Sequence, residues 1–271
     1  MGGVRRDKTG MGFHLYPVII RGVTPPIPVL LSRPTEEFQC LPTVIFFHGL
    51  NGSRNQVFQG RYQELALALQ QLECNLLSIE LRGHGERREN KVQPAVQNLL
   101  REIAHRARNP FAGAMEDIAK TVEFVIEKKI AHPGEIAVAG ISWGALSVFY
   151  ALHQESRVSC GAVLLPVCRI TGLMEFRRLQ GKAVVEPYEP IHFLENIPPK
   201  PLLFITAEKD TRADPRYSSE LYECLAPRYE AESAQDRLAY MMLPGAGHAY
   251  TPAMTEIVVD WLKKYFLERN S

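Results

Sequence analysis

The chain alternates between short apolar runs, many of them β-branched, and longer stretches whose apolar positions recur three and four apart. The short runs fall at 18–21, 28–31, 43–47, 75–81, 135–141, 161–167, 202–206 and 238–243. From residue 43 onward they are apolar on successive positions. A strand covered on both faces reads this way, so a parallel sheet is expected. Between them, 62–72 places Leu65, Ala66, Leu69 and Leu72 on one helical face, and 115–128 does the same with Ile118, Val122, Val125 and Ile126. Further helices are expected at 143–153, 217–225 and 254–266. This alternation predicts one α/β domain with helices on both sheet faces.

Two segments break the rhythm. Residues 90–110 read as an extra helix with Leu99, Leu100 and Ile103 on its apolar face. Residues 169–201 form a long connection between consecutive strands, carrying Pro187, Pro190, Pro198 and Pro199. Connections of this length in a compact domain usually serve function. The segment is too short to fold as a domain, so the expectation is a single domain over 1–271 with a small cap insertion at about 169–200.

Composition narrows the function classes. With 271 residues, 46% of them hydrophobic and 23% charged, there is material for one large core. The formal net charge is +1 and no basic block of five residues occurs, which argues against nucleic acid as a partner. No run approaches the roughly 20 apolar residues that cross a bilayer, and none resembles a signal-peptide core. Five cysteines without C-x-x-C spacing suggest neither a disulfide framework nor a zinc site, and a cytoplasmic setting is expected.

The chemistry-bearing residues sit where predicted strands end. Gly140-Ile141-Ser142-Trp143-Gly144 fits G-x-S-x-G, a strand-to-helix turn that exposes a serine hydroxyl. A predicted strand precedes it and a helical pattern follows, so Ser142 is the candidate nucleophile. Among eight histidines, His248 lies in a glycine-rich loop just past the last apolar run, the strand edge where ligands gather in open α/β sheets. It is the candidate base; His14, His105, His132, His153 and His192 read as surface or packing residues. An orienting carboxylate is needed for such a base. Asp210 follows the run 202–206 most closely and is favoured over Asp214, which could cap the next helix, and over Glu208. The order Ser142, Asp210, His248 is the serine, acid, histidine order of α/β-hydrolases. Donors for a developing oxyanion are expected from the backbone N–H of Trp143 and from His48-Gly49-Leu50-Asn51-Gly52, with Leu50 favoured and Asn51 the alternative. His48 itself reads as a residue bracing that loop.

These segments resemble the α/β-hydrolase superfamily, and within it the dienelactone hydrolase and prolyl oligopeptidase-like branch of small esterases. The matching pieces are Val44-Ile-Phe-Phe-His-Gly, Leu81-Arg-Gly-His-Gly, Gly140-Ile-Ser-Trp-Gly, Thr206-Ala-Glu-Lys-Asp-Thr-Arg and Gly245-Ala-Gly-His, in family order from about residue 40 to the end. The resemblance implies an eight-stranded, mostly parallel sheet with Ser142, Asp210 and His248 at its carboxyl edge. The chain departs from the dienelactone hydrolases in carrying serine where they carry cysteine, and it lacks the propeller of the oligopeptidases.

A carboxylesterase acting on short- to medium-chain esters through a serine acyl-enzyme is therefore expected, on a small-molecule ester substrate. The alternatives are an amidase or small peptidase of the same fold, or a non-catalytic binding protein on it. Trp143, Met174 and Phe176 are the candidate substrate-binding side chains. Arg212 reads as a salt-bridge partner rather than an anchor for a substrate carboxylate, and Cys168 as a small packing residue. No cofactor or metal is expected, because an early G-x-G-x-x-G and an H-E-x-x-H are both absent.

Overall fold

The computed structural model describes residues 14–104 and 109–268. His105 lies outside them. The apolar runs form eight strands: β1 (His14–Ile20), β2 (Ile27–Arg33), β3 (Thr43–Phe47), β4 (Asn75–Ile79), β5 (Ile136–Ile141), β6 (Val158–Leu164), β7 (Leu202–Ala207) and β8 (Leu238–Leu243). They build one sheet in the order β1-β2-β4-β3-β5-β6-β7-β8. β2 is antiparallel to both of its neighbours, and β3 to β8 are parallel throughout. The chain is an α/β-hydrolase in fold.

Alternate residues of each parallel strand supply opposite cores. Ile45, Phe47, Leu77, Val138 and Phe204 face one cluster, and Val44, Phe46, Leu76, Ala137 and Leu203 face the other. The second is closed by α1 (Gln63–Gln71), through Leu65, Ala66 and Leu69, and by α6 (Pro252–Leu262), through Met254 and Val258. The first is closed by α2 (Ala95–Ala104), α3 (Pro110–Glu127), α4 (Gly144–Gln154) and α5 (Pro215–Ala231). The unbroken apolar runs thus record burial from two sides.

Several bounds differ from the sequence expectation, each for a local reason. α3 starts at Pro110 rather than near 115, because Asn109 Oδ1 accepts from Phe111 N at 2.9 Å and proline suits the first helical position. Among the described residues of 90–110, only Ala95–Ala104 is helical as a separate element. α5 runs on through Pro227 to Ala231, held by buried Leu225 and Tyr229. β6 ends at Leu164, three residues before the end of its apolar run, where Leu165 turns with a φ of 46° and gives its N–H to Ile205 O at 2.7 Å. The connection from β6 to β7 contains only short 3-10 turns, at Ile170–Gly172, Arg177–Leu179, Glu186–Tyr188 and Pro190–Phe193.

Strand order positions the site. The chain passes from β3 to β4 on one side and then crosses to β5 on the other, so the loops after β3 and β5 diverge and leave a crevice at the carboxyl edge. Phe47 pairs with Gly140 at the ends of these two strands. The approach there is close: a Cβ on Gly144 would lie 2.1 Å from Phe47 O, and one on Gly140 would lie 2.5 Å from Gly144 O. Both obstacles are backbone. Gly144→Ala is therefore expected to cost about 3 kcal/mol or more, read as a lower midpoint in urea unfolding, against well under about 1 kcal/mol for an exposed control.

Candidate active site

Ser142 follows the last residue of β5 and precedes α4. Its φ is 55°, in the left-handed region that L-residues enter at a cost. Two hydrogen bonds hold it there: Ser142 N donates to Leu164 O at 2.8 Å, and Val167 N donates to Ser142 O at 3.1 Å. The turn points the side chain away from the sheet, and the N-terminal end of α4 lies directly behind it.

Two loops at neighbouring strand ends meet the hydroxyl. The loop after β8 brings His248 Nε2 to 2.9 Å from Ser142 Oγ, and the loop after β7 brings Asp210 Oδ2 to 2.7 Å from His248 Nδ1. The loops are laced together: Lys209 N donates to Ala246 O at 2.8 Å, and Gly245 N donates to Glu208 Oε2 at 2.7 Å. Asp210 is almost wholly buried, and its other oxygen accepts from Arg212 N and Ala213 N, both at 2.9 Å. The carboxylate therefore has one oxygen fixed by backbone and the other given to the histidine. Asp214 takes no part. It caps α5 by accepting from Arg216 N at 3.0 Å, and it pairs with the Arg216 guanidinium. Glu208 serves the loop rather than the ring.

The loop after β3 forms the facing wall. Gly49 N donates to Gln56 Oε1 at 3.0 Å, and Gly52 N donates to Gly49 O at 2.9 Å. The N–H groups of Leu50, Asn51 and Trp143 have no hydrogen-bond acceptor among the described residues. Leu50, Asn51, Gly52, Gln56, Tyr62, Leu165, Arg212 and Tyr250 line a cleft with Ser142 and His248. The cleft continues outward past Ser53, Gln59 and Arg61.

The sequence-predicted substrate residues fare differently. Trp143 is buried, its ring stacked on Phe176 at 5.0 Å between centroids and 6.0 Å from Phe111. Phe176 is fully buried beneath it, so it packs the β6–β7 connection onto the domain. Met174 is 82% exposed. None of Trp143, Met174 and Phe176 lines the cleft at Ser142. Arg212 does line it, and there its Nη2 meets Glu175 Oε1 at 2.8 Å. Cys168 is buried, and burial pushes its thiol up to about 12.

Sequence reasoning placed His48 beneath the β3 loop as a brace but did not single out His84. His48 and His84 are fully buried and meet edge to face at 4.9 Å between centroids. His84 sits between glycines of positive φ, and a Cβ on Gly85 would strike the buried Glu80 carboxylate at 2.3 Å. The same stretch is anchored by Arg82 and Arg87, which share the Asp117 carboxylate at 2.8 and 2.6 Å. The pattern Arg-Gly-His-Gly at a strand end was the available signal. Among the described residues no group of three or more His, Cys, Asp or Glu side chains is placed to hold a metal ion. No helix among them is long and apolar enough to cross a membrane.

The sequence model of the family described as serine aminopeptidase, S33 matches residues 41–185, more than half of the chain. The chain belongs to the S33 serine aminopeptidase family. The matched stretch contains the β3 loop and Ser142, while Asp210 and His248 lie beyond it. Curated proteins show no sequence match to the chain. Among solved structures, TT1662 from Thermus thermophilus superposes on this S33 family member with a TM-score of 0.73 at 21% identity, covering 94% of this chain and 99% of that one. An acetyl xylan esterase from Paenibacillus sp. R4 gives 0.71 at 18% identity, covering 97% and 87%. A puromycin-hydrolyzing peptidase from Mycobacterium tuberculosis gives 0.71 at 15% identity, covering 94% of this chain and 39% of that one. At these identities the likeness is one of fold.

The buried histidine has a measurable consequence. Burial, with His48 alongside, pushes the pKa of His84 down from 6.5 to about 3. The unfolded chain therefore takes up a proton near 6.5 that the folded chain refuses until about 3. Across that window the unfolded state binds more protons, so stability falls as pH drops. Thermal melts should show a melting temperature that declines from pH 6.5 downward, and His84→Gln should flatten the upper part of that decline.

Proposed function

We propose that the protein is a carboxylesterase that hydrolyses short- to medium-chain esters through an acyl-enzyme on Ser142. The observation that carries this reading is the unbroken chain of contacts from Ser142 Oγ to His248 at 2.9 Å and from His248 to Asp210 at 2.7 Å. In this reading His248 Nε2 takes the serine proton as Oγ attacks the ester carbonyl. Asp210, fixed by two backbone N–H groups, keeps the other ring nitrogen protonated and stabilises the imidazolium. The negative charge growing on the carbonyl oxygen meets the N–H groups of Leu50 and Trp143, at the positive end of α4. His248 then protonates the leaving alcohol, and water repeats the sequence on the acyl-enzyme.

The cleft lining favours an ester over an N-terminal amine. An aminopeptidase must hold a free ammonium group near the nucleophile, which calls for a carboxylate. The residues lining the cleft include no Asp or Glu, and Arg212 is the charged side chain among them. The β6–β7 connection, in this reading, is a small cap that belongs to the same single domain. The peptidase among the structural relatives keeps amide hydrolysis as the second reading, on the same triad.

The test is turnover of p-nitrophenyl esters from acetate to palmitate beside a p-nitroanilide. Esters of short acids should be cleaved best, and Ser142→Ala should lower kcat by roughly four orders of magnitude or more. Asp210→Asn should cost on the order of 10⁴-fold, while Asp214→Asn leaves kcat nearly unchanged. Full ester turnover in Ser142→Ala would sink the assignment, and cleavage of the anilide alone would replace it by the peptidase reading.

A further inference from the structure

The β3 loop is held from below by two buried rings. His48 Nδ1 lies 2.9 Å from Gly49 O, and His84 Nε2 lies 2.5 Å from Leu50 O. Both rings are fully buried, so the two carbonyls point into the protein. A peptide unit is planar, with its C=O and the following N–H directed oppositely. Fixing Gly49 C=O thus aims Leu50 N–H away from the interior, and fixing Leu50 C=O aims Asn51 N–H the same way. On that outer side is the cleft that Leu50 and Asn51 share with Ser142.

The rings are themselves immobilised. Leu81 N donates to His48 Nε2 at 3.1 Å, and the buried Glu80 Oε1 stands 3.2 Å from the same nitrogen. The edge-to-face contact of the rings leaves neither room to turn, and a neutral His84 that donates from Nε2 has no proton at Nδ1 to give to Arg82 O, 2.8 Å away. These contacts consume two polar side chains at a depth where an apolar residue would serve packing alone. Resting on the esterase reading above, we infer that His84 is a positioning residue for catalysis, donating from Nε2–H to the Leu50 carbonyl and so fixing Leu50 from its C-terminal side, while His48 holds the Gly49 carbonyl of the peptide that carries the Leu50 N–H; together they present that N–H to the oxyanion. A loop aimed in advance stabilises charge that appears only in the transition state, so the effect falls on kcat rather than on substrate binding.

The test compares two amide replacements. Glutamine places its terminal NH₂ about where Nε2 lies, whereas asparagine reaches only as far as Nδ1. His84→Asn is expected to lower kcat about 100-fold with KM nearly unchanged, the loss typical of one disturbed oxyanion donor. His84→Gln should recover most of that rate. Affinity for an alkyl boronic acid, which mimics the tetrahedral intermediate, should fall in parallel with kcat across the pair. Equal activity of both variants, or a loss confined to KM, would overturn the inference. Should either variant fail to fold, ¹⁵N spectra of the wild-type histidines decide instead: a proton on His84 Nε2 is expected, and a ring protonated at Nδ1 alone would overturn it. Fluorophosphonate labelling of the wild type, with Ser142→Ala as control, runs beside these. No labelling and no turnover would remove the esterase reading together with this inference, whereas normal labelling with indifferent His84 variants would remove this inference alone.

Discussion

The arrangement depends on one backbone conformation, the left-handed turn at Ser142. A residue with a side chain adopts it at a cost of about 1–2 kcal/mol, and it persists only where the surroundings over-determine it. Here they do so from three directions. Leu164 O takes the serine N–H, Val167 N takes the serine carbonyl, and the crossing of β3, β5 and α4 leaves no space for side chains at Gly140 and Gly144. The hydroxyl is presented to the cleft because strand and helix are forced into near contact behind it. That contact is possible only at the two glycines flanking the serine at a distance of two.

What surrounds the turn follows from the sheet. Parallel strands deliver their loops to one edge, and the reversal of strand order around β3 opens a gap there. Into it come a carboxylate from the β7 loop and an imidazole from the β8 loop, tied to each other before either meets the serine. Opposite them, the β3 loop turns its carbonyls inward to buried histidines and leaves its N–H groups toward the cleft. One side of the site is thus built by lacing loops together, and the other by anchoring a loop to the core.

Much of this was legible in the chain. Unbroken apolar runs reported the doubly covered strands, and Gly140, Ser142, His248 and Asp210 each stood at a strand end in an order that fits one topology. Asp210 was favoured for its place just past the strand, with Asp214 as a candidate helix cap, and the capping bond of Asp214 separates them in space. Helix bounds slipped where local chemistry was subtle: Asn109 begins α3 early, and Pro227 fails to end α5 because packing of Leu225 and Tyr229 outweighs its missing N–H. Met174 and Phe176 were placed at the substrate by composition. Apolar residues in a long connection read alike whether they face a ligand, the core or solvent, and here Phe176 faces the core and Met174 solvent. His84 escaped notice because its partner is a carbonyl thirty-four positions away, a relation that no local pattern encodes.

The stack of Trp143 on Phe176 bears on traffic into the cleft. The residue that follows the serine in the chain is also the floor on which the β6–β7 connection rests, and both rings are buried. Lifting that segment to admit a molecule would expose two aromatic faces and tug at the turn itself. The cleft continues elsewhere, alongside the contacting rings of Tyr62 and Tyr250 toward Gln59 and Arg61. A molecule that reached Ser142 along this flank would meet the polar side chains of the β3 loop and of the turn before α1 rather than an apolar roof.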